Sequence, residues 1–384
     1  MANGHGPVRC RPPLLVWVAG AALAAGLASC GSGSGPPPNI LGTARSWTPM
    51  AGNEMKGRYA HATVWTGEEM VVWGGYDNES YFGDGGAYDP ATDSWRALPP
   101  SPLGPRSLRQ AVWSGREVLL WSGESGGEAS APDGAAYNPA TNAWRSLPRA
   151  PIAGRAGYAT AWTGAHMLVW GGGGRARQLT DGAAYDPAAD SWRRLGRSPL
   201  SPRFGMANVW TGTELVIWGG AAAENEALAD GAAYNPGTDA WRPLPPSPLV
   251  ARYRTGYVWT GKELVVWGGE DGAKRFADGA AYDPATDAWR PLPAAPLAGR
   301  DGHGAVWTGE KVVIWGGEDE ALYGNGAAYD PATDGWAPLS STIFKARADM
   351  SEVWTGAELL LWGGRAAAQG VTFAPANDGA RFAP

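Results

Sequence analysis

The sequence predicts an all-β fold made of seven similar sheets, each with four antiparallel strands. The first observation behind this prediction is a tryptophan pattern that recurs seven times along the 384 residues. The second is the abundance of turn-forming residues, with 57 glycines and 32 prolines, which suits many short strands joined by tight turns. A regular repeat of this kind indicates small units that stack on their neighbours to bury a common core.

Each repeat contains two tryptophans eight residues apart, and the pairs recur every 47–49 residues. The pairs are Trp65 and Trp73, Trp113 and Trp121, Trp162 and Trp170, Trp210 and Trp218, Trp259 and Trp267, Trp307 and Trp315, and Trp354 and Trp362. Six pairs are followed by a third tryptophan, at Trp95, Trp144, Trp192, Trp241, Trp289 and Trp336. The seventh pair lacks one, because Ala380 stands at that position, whereas Trp47 lies alone before the first pair.

The repeat at 252–293 shows how each strand is specified. Its predicted strands cover 255–259, 263–267, 279–282 and 288–292. Gly261 can take positive φ in the tight turn between the first two strands. A polar loop leads to the third strand, and the turn Asp283-Pro284-Ala285-Thr286-Asp287 leads to the fourth. Four such strands cannot bury both of their faces alone, but sheets arranged in a ring cover one another.

The repeats resemble those of the Kelch family. The matching features are Gly268-Gly269 after an apolar strand, Tyr282 and Trp289 seven residues apart, and Arg252 before the first strand. The resemblance extends over 45–375 and implies a seven-bladed Kelch-type β-propeller with four antiparallel strands per blade. The Trp-Thr-Gly hairpin in most blades departs from the family pattern.

The last blade is expected to be closed by the N-terminal strand. The predicted blades are 58–98, 106–148, 155–196, 203–245, 252–293, 300–339, and 347–375 joined by 44–50. In this interpretation 370–375 provides the third strand of blade 7, Trp47 lies in its fourth strand, and the chain after 375 is dispensable. The alternative is that Ala380–Pro384 forms a poor fourth strand.

The first 30 residues are predicted to be a lipoprotein signal peptide, followed by a flexible tether at 31–43 and the propeller at 44–384. Two arginines precede an apolar run, and Leu27-Ala28-Ser29-Cys30 resembles a bacterial lipobox. The resemblance implies cleavage before Cys30 and acylation of its sulfur. An ordinary cleaved signal or an uncleaved anchor remains an alternative. We therefore expect an extracytoplasmic, lipid-anchored protein of the bacterial cell envelope.

Charge and cysteine content limit the possible partners. The net charge is −6, it becomes −8 without the arginines of the leader, and no basic stripe is present, so nucleic acid is not an expected partner. Membrane contact is expected only through the lipid at Cys30. Cys10 and Cys30 are the only cysteines, which leaves no thiol in the mature domain for a disulfide, a metal or catalysis. No cofactor or metal is predicted, and the protein is expected to be a monomer.

The loops between the second and third strands differ among blades, and function usually resides in such variable loops. An arginine precedes the first strand of every blade on this face: Arg58, Arg106, Arg155, Arg203, Arg252, Arg300 and Arg347. In Kelch substrate adaptors, arginines at similar positions bind acidic groups of a peptide, although an arginine in every blade also fits a structural role. The ligand-binding residues predicted for blades 5, 6, 7 and 1 are Arg58, Tyr81, Phe82, Arg252, Phe276, Arg300, Tyr323 and Arg347.

The favoured function is a non-catalytic module that binds a protein or a glycan, since aromatic and charged side chains suit either ligand. These loops could equally be an ordinary solvent-exposed surface. The alternative function is an envelope sugar-modifying enzyme, such as a Kelch-type sialic-acid mutarotase. Such an enzyme needs an acid and a base near the pore mouth. The candidates for that role are Asp301, His303, Arg347 and Asp349.

Overall fold

Seven four-stranded antiparallel sheets make up most of the chain that the structure describes, and they confirm the seven-bladed all-β prediction. The computed structural model describes residues 46–126, 130–173, 178–340, 342, 344–368 and 371–383. The predicted signal peptide and tether, including Cys30, lie outside the described residues. In the described part of the chain, no helix has the length and apolar character needed to cross a membrane.

The strands of the blades have nearly constant lengths. The first strands are Ala62–Trp65, Ala111–Trp113, Ala159–Trp162, Ala207–Trp210, Gly256–Trp259, Gly304–Trp307 and Ser351–Trp354. The second strands are Met70–Trp73, Val118–Trp121, Met167–Trp170, Leu215–Trp218, Leu264–Trp267, Val312–Trp315 and Leu359–Trp362. The third strands are Gly85–Asp89, Gly134–Asn138, Gly182–Asp186, Gly231–Asn235, Gly279–Asp283, Gly326–Asp330 and Gly379–Ala383. The fourth strands are Ser94–Ala97, Ala143–Ser146, Ser191–Arg194, Ala240–Pro243, Ala288–Pro291, Gly335–Pro338 and, in blade 7, Ser46–Pro49.

The blades form a closed ring with their first strands innermost. The first strands of successive blades contact one another, and the first strand of blade 7 contacts that of blade 1. The second strands are buried on both faces. In the first strands, buried residues alternate with half-buried residues. This alternation places every second residue of the innermost strands toward the centre of the ring.

Tryptophans connect each blade to the next. Trp267 in the second strand of blade 5 has its ring centre 6.1 Å from Trp336 in the fourth strand of blade 6. Within blade 6, Trp336 also packs against Tyr329, at 5.2 Å. The same two contacts recur around the ring. The two tryptophans of each pair therefore lie at the ends of the first and second strands of one hairpin. The second of them packs against the neighbouring blade.

The N-terminal strand closes the ring as the outermost strand of blade 7. Ser46–Pro49 pairs with Gly379–Ala383, with Trp47 opposite Phe382. Trp47 lies 4.8 Å from Phe382 and 5.7 Å from Trp315 of blade 6. These contacts are those of the third tryptophan in the other blades. The fourth strand of blade 7 is thus the one that the lone Trp47 predicts. The alternative prediction, in which Ala380–Pro384 forms the fourth strand, is wrong.

The predicted third strand of blade 7 is also wrong. Val371–Pro375 forms a hairpin with Arg365–Ala368, and this hairpin pairs with Arg347–Ala348 in a separate three-stranded sheet. The third strand is Gly379–Ala383, which pairs with the second strand of the blade. Asp378 explains the choice, because its carboxylate bonds the buried Arg347 at 3.1 Å and fixes the start of the strand. The residues after 375 are consequently an integral part of the blade.

Candidate functional site

The arginine before each first strand is a structural element of its blade. Arg252 is fully buried. Its guanidinium group donates to the carbonyls of Val250 and Gly268, at 3.0 and 3.3 Å, and to the Asp278 carboxylate at 2.7 Å. Arg58, Arg155, Arg203 and Arg347 are buried and paired in the same way, and Arg106 departs only in being slightly exposed. In blade 6, Arg300 bonds the side-chain oxygen of Asn325 at 3.0 Å instead of a carboxylate.

This burial removes four of the predicted ligand contacts. Arg58, Arg252, Arg300 and Arg347 have no exposed surface, so none of the four guanidinium groups can meet a ligand in this structure. Their guanidinium N–H groups instead donate to backbone carbonyls just after the second strand and just before the third. The prediction of a ligand-binding arginine ring is corrected to the structural role that sequence reasoning had also allowed.

The predicted aromatic rim covers these arginines. The rings of Phe82, Phe276 and Tyr323 lie 4.2, 4.0 and 4.0 Å from the guanidinium carbons of Arg58, Arg252 and Arg300. Phe276 is itself buried. Tyr81 differs from the other three, since its ring lies 4.7 Å from that of Tyr76. Three of the four aromatic residues therefore shield buried cations.

A central cavity of about 660 Å³ opens among the first strands. Blades 2 to 7 all contribute to its wall, which places it on the axis of the ring. Its lining residues are Arg109, Gln110, Ala111, Gly157, Tyr158, Thr160, Phe204, Gly205, Met206, Asn208, Arg254, Thr255, Tyr257, Gly302, His303, Asp349, Met350 and Glu352. Its volume and its mixture of aromatic, apolar and polar groups are those of a small-molecule or side-chain binding pocket.

Seven residues at equivalent positions in the first strands form the inner ring. They are Thr63, Ala111, Thr160, Asn208, Tyr257, Ala305 and Glu352. Hydrogen bonds join several of them across blades: the Asn208 amide donates to the Thr160 carbonyl at 2.8 Å, and the Tyr257 hydroxyl donates to Asn208 Oδ1 at 3.3 Å. Glu352 is the single ionisable carboxyl of the inner ring.

An ion network lies at the mouth of the cavity, centred on Asp349. Its buried carboxylate bonds Arg109 at 2.8 Å, Arg365 at 2.8 Å and Arg254 at 3.3 Å. Burial alone would raise the pKa of Asp349, but these three guanidinium groups hold it well below its usual range. Asp349 is therefore ionised at any ordinary pH, and both of its carboxylate oxygens contact guanidinium groups.

The network continues through blades 5 and 6. Arg254 Nε lies 3.1 Å from the fully buried carboxylate of Asp301, which also accepts from Arg275 at 3.0 Å. Glu270 lies 3.4 Å from Arg275, and Glu318 accepts from Arg365 at 2.9 Å. The predicted residues Asp301 and Asp349 are thus brought together, and Arg254 bridges them.

Two residues of this network have a strained backbone. Arg254 and Asp349 take positive φ, at 54° and 56°. Three other blades have glycine at the same position, as in Gly302. A non-glycine residue in this region costs about 1–3 kcal/mol and often belongs to a functional site. Here the strained conformation holds both side chains over the mouth of the cavity.

His303 and Arg347, the other two catalytic candidates, are not disposed as an acid or a base. His303 is buried, and its Nε2 accepts from the backbone N–H of Gly256 at 3.1 Å. Its ring lies edge-on against Trp267 at 5.3 Å. Burial lowers the pKa of His303 to about 3, so the ring is neutral at ordinary pH. Arg347 is fully buried and bonded to Asp378.

Glu352 differs from every other carboxylate near the axis. Among the described residues it forms no ion pair, and its carboxyl accepts a hydrogen bond from the backbone N–H of Ala305. Burial raises the pKa of Glu352 to about 8. Gly304 makes room for it, because a Cβ atom there would lie 3.3 Å from Cδ of Glu352. No group of three or more potential metal ligands occurs in the described residues, here or elsewhere.

The sequence-predicted site residues omit Arg109, Arg254 and Glu352, which line the cavity, and Glu270, Arg275, Glu318 and Arg365, which belong to the ion network at its mouth. One signal could have found Glu352: the equivalent residues of the other six repeats carry no charge. The contact of Arg109 of blade 2 with Asp349 of blade 7 depends on the width of the ring, which the sequence does not give.

Comparison with known proteins agrees with this geometry. The model of the KLHDC2/KLHL20/DRC7 Kelch-repeats domain matches residues 42–203 and 196–364. Since these matches cover most of the chain, the protein belongs to the Kelch-repeat family. Kelch repeats generally mediate interactions between proteins. None of the curated proteins compared with the chain matches it.

Proposed function

We propose that this protein is a lipid-anchored binding module of the bacterial cell envelope that receives part of a protein ligand in its central cavity. The observation that carries the proposal is the cavity itself, about 660 Å³ in volume and lined by six blades. Its wall combines aromatic and apolar side chains with polar and charged groups that can orient a ligand. A protein ligand agrees with the general role of Kelch repeats, and a glycan remains the second class of ligand.

The envelope location rests on Leu27-Ala28-Ser29-Cys30. A small-residue stretch that ends in cysteine after an apolar run is what lipoprotein processing requires. The tether at 31–43 would then separate the propeller from the lipid.

An enzyme is less well supported than a binding module. A sugar-modifying enzyme would need two titratable groups free to exchange protons with one substrate. Asp349 is occupied by three guanidinium groups, and the Nε2 atom of His303 is engaged by the backbone. Among the residues that the structure describes, only Glu352 combines a position on the cavity wall with a pKa near neutrality.

The proposal is tested by photo-crosslinking in the intact bacterial envelope. A photoreactive benzoylphenylalanine replaces Ala111, which lines the cavity, in the full-length chain. In the matched control it replaces Ala285, an exposed residue in the turn between the third and fourth strands of blade 5. The proposal expects a protein adduct from position 111 that is absent from position 285. Adducts confined to position 285 would place the binding surface on the opposite face.

A further inference from the structure

The charged groups at the mouth of the cavity balance one another. The four arginines are Arg109, Arg254, Arg275 and Arg365, and the four carboxylates are Glu270, Asp301, Glu318 and Asp349. Each of these groups pairs with at least one of opposite sign, so the formal charge of the network is zero. Glu352 adds a fifth carboxyl, which forms no ion pair with the described residues; Arg109, which is paired with Asp349, also acts on it through its charge.

The surroundings of Glu352 suit a cation with an apolar stem. The titratable or charged groups around the same cavity are Arg109, Arg254, Tyr158, Tyr257, His303 and Asp349. Both arginines are already bonded to Asp349, and His303 is neutral. Phe204 and Tyr257 offer aromatic rings, which attract cations, and Met206 and Met350 offer flexible apolar contacts.

We propose that the central cavity takes the side chain of a lysine of the protein ligand, with Glu352 as the partner of its ammonium group. This inference rests on the proposed binding function and names its ligand chemistry. A lysine stem can lie along the apolar wall while its head group reaches the carboxyl. Without a cation, burial favours the protonated form of Glu352, whose pKa is raised to about 8. Lysine binding would therefore displace a proton from the carboxyl near neutral pH.

The test measures four small probes by titration calorimetry against the lipidated full-length chain in detergent. The probes are N-acetyl-lysine methylamide, its norleucine analogue without the ammonium group, its glutamate analogue, and methyl glucosaminide as an amino sugar. The lysine probe is expected to bind at least about tenfold more tightly than the norleucine probe. The glutamate probe should bind most weakly of the three amino-acid derivatives.

The matched variants are Glu352→Gln and Glu310→Gln. Glu310 is an exposed residue of a turn on the opposite face, so its change removes the same charge without touching the cavity. Only Glu352→Gln should abolish the lysine preference. The inference is overturned if the lysine probe does not bind, if Glu352→Gln keeps the preference, or if the glucosaminide binds more tightly than the lysine probe.

A measurement on the native chain keeps the test decisive if Glu352→Gln fails to fold. The carboxyl carbon of Glu352, observed by NMR, should titrate at lower pH when the lysine probe is present. An unchanged titration contradicts the inference. Crosslinks from position 111 combined with an unchanged titration would leave the binding module standing and remove only the lysine assignment. A lowered titration without any crosslink would leave the pocket chemistry and remove the protein-binding function.

Discussion

Replacing Trp47 with alanine is expected to destabilise the whole propeller, although Trp47 lies at the beginning of the described chain. The indole is 7% exposed and packs between Phe382 and Trp315, at 4.8 and 5.7 Å. Its removal leaves a cavity at the junction of blades 6 and 7, where no covalent connection holds the fourth strand of blade 7 to the third. A buried tryptophan replaced by alanine typically costs about 3–5 kcal/mol.

The matched control is Thr48→Ala in the same strand, because Thr48 is exposed. Its cost should stay below about 0.5 kcal/mol. Urea unfolding followed by far-ultraviolet circular dichroism gives both free energies, provided that the slopes agree. Equal midpoints for the two variants would refute the closure by Trp47. Deletion of 379–383 should be at least as damaging as deletion of 44–50, because it removes the strand to which the N-terminal strand pairs.

Three further predictions concern single residues. Arg252→Ala should lower the free energy of unfolding by about 2–4 kcal/mol, since it leaves buried carbonyls unpaired. The control is Lys262→Ala, at an exposed position. If Arg252→Ala has no larger effect than this control, the structural role of the arginine is contradicted. Cys30→Ala should move the protein from the membrane fraction to the soluble fraction, and retention after normal cleavage would refute lipidation. Because burial raises the pKa of Glu352 from 4.5 to about 8, the wild type should be about as stable as the isosteric Glu352→Gln below pH 4.5, where the carboxyl is protonated in the folded and unfolded states. Between pH 4.5 and about 8 the wild type should lose about 2–4 kcal/mol of stability relative to Glu352→Gln, and urea unfolding with the same pH dependence for both proteins would contradict the assignment.

The tryptophan pattern was enough to predict the number of blades and the strand that closes the ring. It succeeded because each tryptophan contacts residues of its own or the next blade, so one repeat contains nearly all the information about its packing. Trp47 was identifiable for the same reason, as a fourth strand without a preceding third.

The third strand of blade 7 was misassigned because two segments have similar sequences. Residues 370–375 and 379–384 both begin with glycine and end with Phe-Ala-Pro. The decisive residue is Asp378, which precedes the second segment as an Asp or Asn precedes the third strand in every other blade. Its ion pair with Arg347 shows that this acidic residue binds the buried arginine of its blade. The same pairing could have revealed from the sequence that the arginines are structural.

The candidate site was less predictable because it depends on contacts across the ring. Asp301 and Asp349 were correctly predicted from the sequence as neighbours, but the contacts of Arg365 with Asp349 and Glu318 were not. Arg365 begins the hairpin inserted in blade 7, a hairpin that the repeat pattern interprets as an ordinary strand. The contact of Arg109 with Asp349 joins blades that are not adjacent. Only the closed ring brings these residues to one axis.

The most direct test of the central cavity as the binding site is the affinity of the crosslinked partner for three forms of the chain. Ala111→Trp fills the cavity from its wall without removing a hydrogen-bonding side chain, and Ala285→Trp adds the same bulk to the exposed opposite face. Both should unfold at the wild-type temperature to within a few degrees. The account predicts at least about a tenfold loss of affinity for Ala111→Trp and none for Ala285→Trp. Undiminished binding by Ala111→Trp would contradict it.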